Sequence, residues 1–183
     1  MSAHGPRWTA PARLAPVALC AALLGLSACA GGRAAGMPPS APSVLSGKPL
    51  PSFSRRTLTG ETLDTKALAG KVVVVKFFAD YCAPCKKTLP AAQALAAQHP
   101  DVAFVGISED EHASTAAEVA RRYSLSFPVI HDSGQVLSGR FRVNEMPATF
   151  VADRSGVVRW VGGEQQSEEA LGDAVATVKQ AAK

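Results

Sequence analysis

Cysteine is scarce in this chain, with four in 183 residues, and the scarcity limits what the thiols can do. A structural zinc site takes about four ligands. Only one C-x-x-C is present, Cys82–Cys85, and His99, His112 and His131 stand at no ligand spacing from it. Zinc is therefore disfavoured and no bound metal is expected. Tryptophan is confined to Trp8 and Trp160, so stacking platforms are few. Basic residues exceed acidic ones only by 19 to 15, with no basic run. That balance argues against a nucleic-acid partner. No flavin or nicotinamide motif occurs, so no bound cofactor is expected, and there is no internal repeat.

What is present begins with an address. Arg7 and Arg13 precede an apolar run, Leu14–Gly25, that is short for a bilayer-spanning helix. The run ends in Leu26-Ser27-Ala28-Cys29, which resembles the bacterial lipobox. That resemblance implies cleavage before Cys29 and lipid modification of its side chain. A signal peptide cut after Ala28 or Ala30, with Cys29 incidental, and an uncleaved anchor are the alternatives. On the lipobox reading residues 1–28 are removed, Cys20 goes with them, and Cys29 is blocked. Cys82 and Cys85 are then the only free pair, in an exported protein where disulfides persist. Losing Arg7 and Arg13 leaves 17 basic side chains against 15 acidic. Residues 29–47 are Gly/Pro/Ser/Ala-rich and read as a flexible membrane tether, with a folded domain over 48–183.

Within that domain, Phe53–Leu58 and Thr62–Leu63 read as a hairpin turning at Gly60. Thr65–Leu68 reads as a helical turn. Val72–Phe78 (VVVVKFF) is apolar without alternation, as in a strand buried on both faces. Cys82–Gln98 reads as a helix bent at Pro90. Val102–Ser108 is a second buried strand. Ser114–Tyr123 is a helix with Ala117, Val119 and Ala120 inward. Phe127–His131 is extended, and Val136–Phe141 is a short helix. Ala148–Ala152 and Val157–Val161 form a hairpin around Asp153–Gly156. Ser167–Ala181 is a closing helix with Leu171, Val175 and Val178 inward. This order implies a mixed α/β sheet flanked by helices.

The chemistry concentrates at the first strand–helix junction. A helix N-terminus offers unpaired N–H groups and partial positive charge, both favouring thiolate over thiol. Thiolate is the nucleophile of disulfide exchange. Cys82, at the helix start, is expected to attack, and Cys85, one turn on and more buried, to resolve. An inert structural disulfide is the other use of such a pair. Pro84 stiffens the first turn.

These pieces, Phe77-Phe78-Ala79-Asp80-Tyr81-Cys82-Ala83-Pro84-Cys85-Lys86 with Pro90 and Met146-Pro147-Ala148-Thr149-Phe150-Val151, resemble the thioredoxin-like superfamily over residues 44–183. The hairpin and the insertion around Ser124–Glu145 resemble its TlpA/ResA-like, membrane-tethered branch. Phe127-Pro128-Val129-Ile130 followed by Asp132 also echoes the related peroxiredoxins. The resemblance implies a thioredoxin-like fold and a cis-proline loop at Met146–Pro147, whose backbone pairs with an extended substrate segment. An ordinary trans turn is the alternative. It implies that Tyr81, where relatives usually carry Trp, flanks the site with Pro84 and Met146. Lys76 departs from the pattern, because cytosolic thioredoxins carry a buried acid there. A lysine beneath the pair favours thiolates; otherwise it snorkels to the surface or pairs with an acid. Glu109 is the candidate acid near the site, and Ser108–Glu111 otherwise reads as a solvated loop.

Three functions follow. The resemblance implies an exported, lipid-anchored, monomeric thiol:disulfide oxidoreductase facing the periplasm or cell exterior. Such a protein reduces disulfides in exported proteins, apocytochrome c among the possible substrates, and draws electrons from a membrane donor. A thiol peroxidase is the second, but the Thr three residues before a peroxidatic cysteine is missing: Ala79 and Cys82 stand at those places. A copper carrier or binding module is the third; related carriers use C-x-x-x-C, although Met146 could add a soft ligand.

Overall fold

The computed structural model describes residues 36–165 and 167–181, together with Met1 and Gly5. Cys20, Cys29 and the lipobox lie outside the described residues. The folded body belongs to the second of the chain's two compact units, Ala34–Lys183.

Strand β1 (Ser54–Arg56) pairs antiparallel with β2 (Thr62–Asp64). Gly60 turns the hairpin at φ +89°, a conformation that glycine adopts without a Cβ clash. A single 3-10 turn follows at Thr65–Leu68, capped by the Asp64 carboxylate, which accepts from Lys66 N–H. The central elements are β3 (Val72–Phe78), α1 (Ala83–Gln98), β4 (Val102–Ser108), α2 (Ala113–Arg122), β5 (Val129–His131), α3 (Val136–Phe141), β6 (Ala148–Ala152), β7 (Val158–Gly162) and α4 (Glu168–Ala181). The five-stranded sheet has the order β5-β4-β3-β6-β7. Strand β3 runs parallel to β4 and antiparallel to β6.

The unbroken apolar run of β3 follows from this central position. Val74 and Phe78 pack on one face with Cys85 and Leu89 of α1 and Val175 of α4. Val73, Val75 and Phe77 pack on the other with Leu137 and Phe141 of α3. Side chains alternate across a strand, so each needs apolar cover. On that second face Phe77, Phe141 and Phe150 meet edge-on, with ring centroids 5.2–6.0 Å apart. Gly162 closes β7 beneath Trp160, because a Cβ there would sit 2.4 Å from the indole.

Several expectations need correction. Helix α2 buries Ala116 and Val119, and Ala117 points outward. The helix packs through the i, i+3 pair 116/119, which shares one face and leaves the adjoining Ala117 off it. Helix α1 starts at Ala83 with Cys82 as its cap, and it continues through Pro90. Strand β7 lies one residue later than the sequence suggests. The tether expected through residue 47 ends earlier. Ala41 N–H donates to Val161 O at 2.7 Å, Gly47 N–H to Val158 O at 2.8 Å, and Trp160 Nε1 to Pro39 O at 3.1 Å. Residues 39–47 thus lie along the free edge of β7, supplying the pairing that an outermost strand lacks.

Candidate active site at the end of the central strand

Strand β3 hands the chain to α1 through Ala79-Asp80-Tyr81. Cys82 N–H donates to Ala79 O at 3.1 Å, closing the turn. Cys82 then caps the helix with extended backbone, its Sγ accepting from Cys85 N–H at 3.1 Å. A side chain that accepts at this position satisfies an otherwise unpaired helix donor. Cys82 and Cys85 form a disulfide with Sγ atoms 2.02 Å apart. Cys82 retains 7% exposure and Cys85 none. Pro84 occupies the first turn, and Thr88 Oγ1 donates to Cys85 O at 3.1 Å.

The loop beneath the cysteines is held by charge. Asp80 N–H donates to Asp110 Oδ1 at 2.8 Å. Ser108 Oγ donates to Asp110 Oδ2 at 2.8 Å, and His131 Nε2 lies 2.7 Å from Asp110 O. The Asp80 carboxylate meets Arg122 Nη1 at 2.8 Å and Lys86 Nζ at 3.6 Å. The Arg122 hydrogen bond is the main reason that Asp80 ionises below the usual carboxylate range. Ser108–Glu111 is therefore not simply a solvated loop, because Ser108 and Asp110 are buried. Sequence reasoning missed Asp110, whose only sequence signal was its place at the end of a buried strand.

Met146–Pro147 is a cis peptide. Ala148, the next residue, pairs with Phe77 in the β3–β6 register. The antiparallel pairing carries Pro147 to the same end of the sheet as Cys82, and Met146 packs against the cluster that holds both cysteines. Outside Pro147 opens a groove of about 340 Å³ lined by Arg142, Glu145, Ala148 and Gly162, among others.

Tyr81 is 67% exposed at the mouth of the site. Beside it, Glu109, Asp110, Glu111 and Asp132 line an open cleft of about 510 Å³. Burial, and then the Glu109 and Asp110 carboxylates, push the Tyr81 hydroxyl upward. Glu109 is half-buried, its N–H donating to Phe78 O and its carboxylate accepting from Ser138 Oγ. Burial, opposed by the Ser138 hydrogen bond, pushes its carboxyl above the usual range. Lys76 does not snorkel: it is 2% exposed, with Nζ 3.4 Å from Thr149 Oγ1. The site thus gathers Cys82, Cys85, Pro84, Tyr81, Met146 and Pro147 at one end of the sheet. Lys76 lies below them and Glu109 to the side. Among the described residues no cluster of metal-ligating side chains occurs.

Fold and disulfide together define a thioredoxin-like thiol:disulfide oxidoreductase, an enzyme whose substrates are disulfide-bonded proteins. Residues 46–161 match the AhpC/TSA family, and the chain belongs to it. Among its relatives, the thiol-disulfide oxidoreductase ResA of Bacillus thuringiensis (strain Al Hakam) is 33% identical over 129 residues, 69% of this chain and 75% of that protein. The thioredoxin-like protein YneN of Bacillus subtilis (strain 168) is 29% identical over 120 residues, 63% of this chain and 70% of its own. Among solved structures, a secreted Mycobacterium tuberculosis disulfide oxidoreductase homologous to Escherichia coli DsbE superposes with a TM-score of 0.64 at 28% identity, covering 68% of this chain and 94% of that one.

Proposed function

We propose that this enzyme is exported, is anchored to a cell-envelope membrane through Cys29, and reduces disulfides in exported proteins. Cys82 is the nucleophile and Cys85 the resolving thiol. The observation that carries these roles is the unequal cover of the two sulfurs: Cys82 sits at the helix cap with residual exposure, and Cys85 is enclosed. In the reduced enzyme, the Cys82 thiolate attacks a substrate disulfide and forms a mixed disulfide, releasing one substrate thiol. The Cys85 thiolate attacks Cys82 Sγ, and the second substrate thiol leaves. Two electrons and two protons reach the substrate, and Cys82–Cys85 closes. A dithiol donor in the membrane restores the reduced pair. The cis loop at Met146–Pro147 receives an extended substrate segment, and Tyr81 and Pro84 border it.

Export and anchoring rest on the Leu26-Ser27-Ala28-Cys29 sequence. Among the described residues no helix is long and apolar enough to cross a membrane. A secreted relative is consistent with export. The mature chain then comprises the lipidated Cys29, a tether, and the folded domain. Mass spectrometry of the N-terminus tests this: a lipid adduct on Cys29 is expected, and an unmodified start at Cys29 or Gly31 overturns the anchor.

The catalytic roles are tested by substitution. Cys85→Ser is expected to trap a mixed disulfide with a CxxC-disulfide peptide, which mass spectrometry assigns to Cys82. Cys82→Ser is expected to lose turnover and to trap nothing. A mixed disulfide through Cys85 in the Cys82→Ser protein, with none formed by Cys85→Ser, reverses the assignment. The direction of flow follows from equilibrating the pair in graded thiol/disulfide buffers. A potential near about −270 mV makes the protein a reductant, and one near about −120 mV makes it an oxidant.

A further inference from the structure

Lys76 occupies the middle of β3, between Val74 and Phe78 on the same strand face. Both neighbours pack in the cluster containing Cys85 and Leu89 of α1. The lysine therefore faces the underside of α1. Its side chain is enclosed, with Nζ near Thr149 Oγ1. A cavity of about 20 Å³ is lined by Lys76, Thr88, Ala91, Pro147 and Thr149, among others. Thr88 is one turn past Cys85 and donates to its carbonyl. The lysine is thus enclosed below the turn that carries the resolving sulfur, on the side of the cis-proline.

The resolving step requires a Cys85 thiolate in a place without solvent. Apolar burial disfavours a thiolate, whereas a nearby cation favours one, and the attraction is stronger in the interior than in water. A lysine cannot serve as the acid-derived base that cytosolic thioredoxins carry here, but its positive charge acts on the same equilibrium from the product side.

We propose that Lys76 is a positioning residue for the disulfide exchange, its buried positive charge holding Cys85 as the thiolate that attacks Cys82. The inference rests on the proposed dithiol function, with Cys85 as the resolving thiol. In the step it assists, the Cys85 thiolate forms the Sγ–Sγ bond to Cys82. The bond from Cys82 to the substrate sulfur breaks, the substrate leaves as a thiolate, and the Cys85 proton has already passed to solvent. The enzyme is oxidised by two electrons overall and the substrate reduced by two.

The test uses the reduced protein and 5,5′-dithiobis(2-nitrobenzoate). The first coloured thiolate is released when Cys82 attacks and the second when Cys85 resolves, so the two steps separate in stopped flow. Lys76→Met and Lys76→Gln are expected to leave the first phase within about twofold of wild type. The second is expected to slow about tenfold at pH 7, corresponding to a one-unit rise in thiol pKa. The gap should close above about pH 10, where the thiol ionises unaided, and Lys76→Arg should restore the rate. Two outcomes overturn the proposal: a second phase as fast as wild type in both neutral variants at pH 7, or a slowing that is the same at every pH. Wild-type protein that releases only one equivalent instead overturns the dithiol function on which the inference rests.

Discussion

Glu109, where β4 ends, shows how one residue couples to pH. It is half-buried with Asp132 nearby, and desolvation is the main force holding its proton, against the Ser138 hydrogen bond. Its native pKa lies above the value of 4.5 that the free side chain carries. Between those values the native state binds a proton that the unfolded chain has released. Stability therefore falls as pH rises through that window, and the penalty is complete above it. Glu109→Gln removes the charge and leaves an oxygen for Ser138 Oγ. Its thermal midpoint is expected to exceed that of wild type at pH 8, with the gap closing as the pH approaches about 4. Calorimetry across that range checks the sign.

At the scale of elements, the short helix α3 depends on a residue outside itself. Its N-cap, Gln135, lies in the left-handed region and makes no side-chain cap. The Asp132 carboxylate takes over, accepting from Leu137 N–H and Ser138 N–H at 2.9 Å each. Asp132 is itself buried, so truncation leaves two enclosed donors without an acceptor. Asp132→Ala is expected to cost about 2 kcal/mol in urea unfolding. Because α3 covers Phe77 on the lower face and brings Ser138 to Glu109, the same variant should also shift the Glu109 titration.

On the scale of the whole molecule, both edges of the sheet are covered. The β1–β2 hairpin reaches β5 through the Thr57–Ile130 bridge and Leu58 N–H to Val129 O at 2.8 Å. Residues 39–50 run along β7, ending in the Pro49–Val157 bridge and Leu50 N–H to Gly156 O at 2.7 Å. A chain beginning at Lys48 loses the Ala41 and Gly47 hydrogen bonds, the Ser40 contacts with Val161, and the partner of Trp160 Nε1. Compared with a chain beginning at Gly36, it is expected to be less stable by about 2 kcal/mol or more. It should also self-associate through the bared strand, which denaturation and light scattering would detect.

Local composition was enough for the elements whose residues have one environment. The β-branched run of β3, the apolar run of β4 and the thiols at a strand–helix junction each carry their signal within a few residues, so bounds such as Val72–Phe78 and Val102–Ser108 follow from the chain alone. The pairing of Cys82 with Cys85 was legible for the same reason, their spacing being one helical turn. Tertiary structure decided what depends on distant partners. Ala116 rather than Ala117 turns inward because α2 packs on the sheet at one particular rotation. Residues 39–47 look like a linker by composition, yet a free strand edge far along the chain gives their backbone groups partners. Asp110 and Asp132 look like surface acids until the fold brings buried N–H groups to their carboxylates. Lys76 reads as a misplaced charge in a strand until the packing of α1, β6 and the cis-proline loop encloses it. Neighbouring residues specify backbone conformation, but burial and hydrogen bonding are satisfied only by groups that folding brings together.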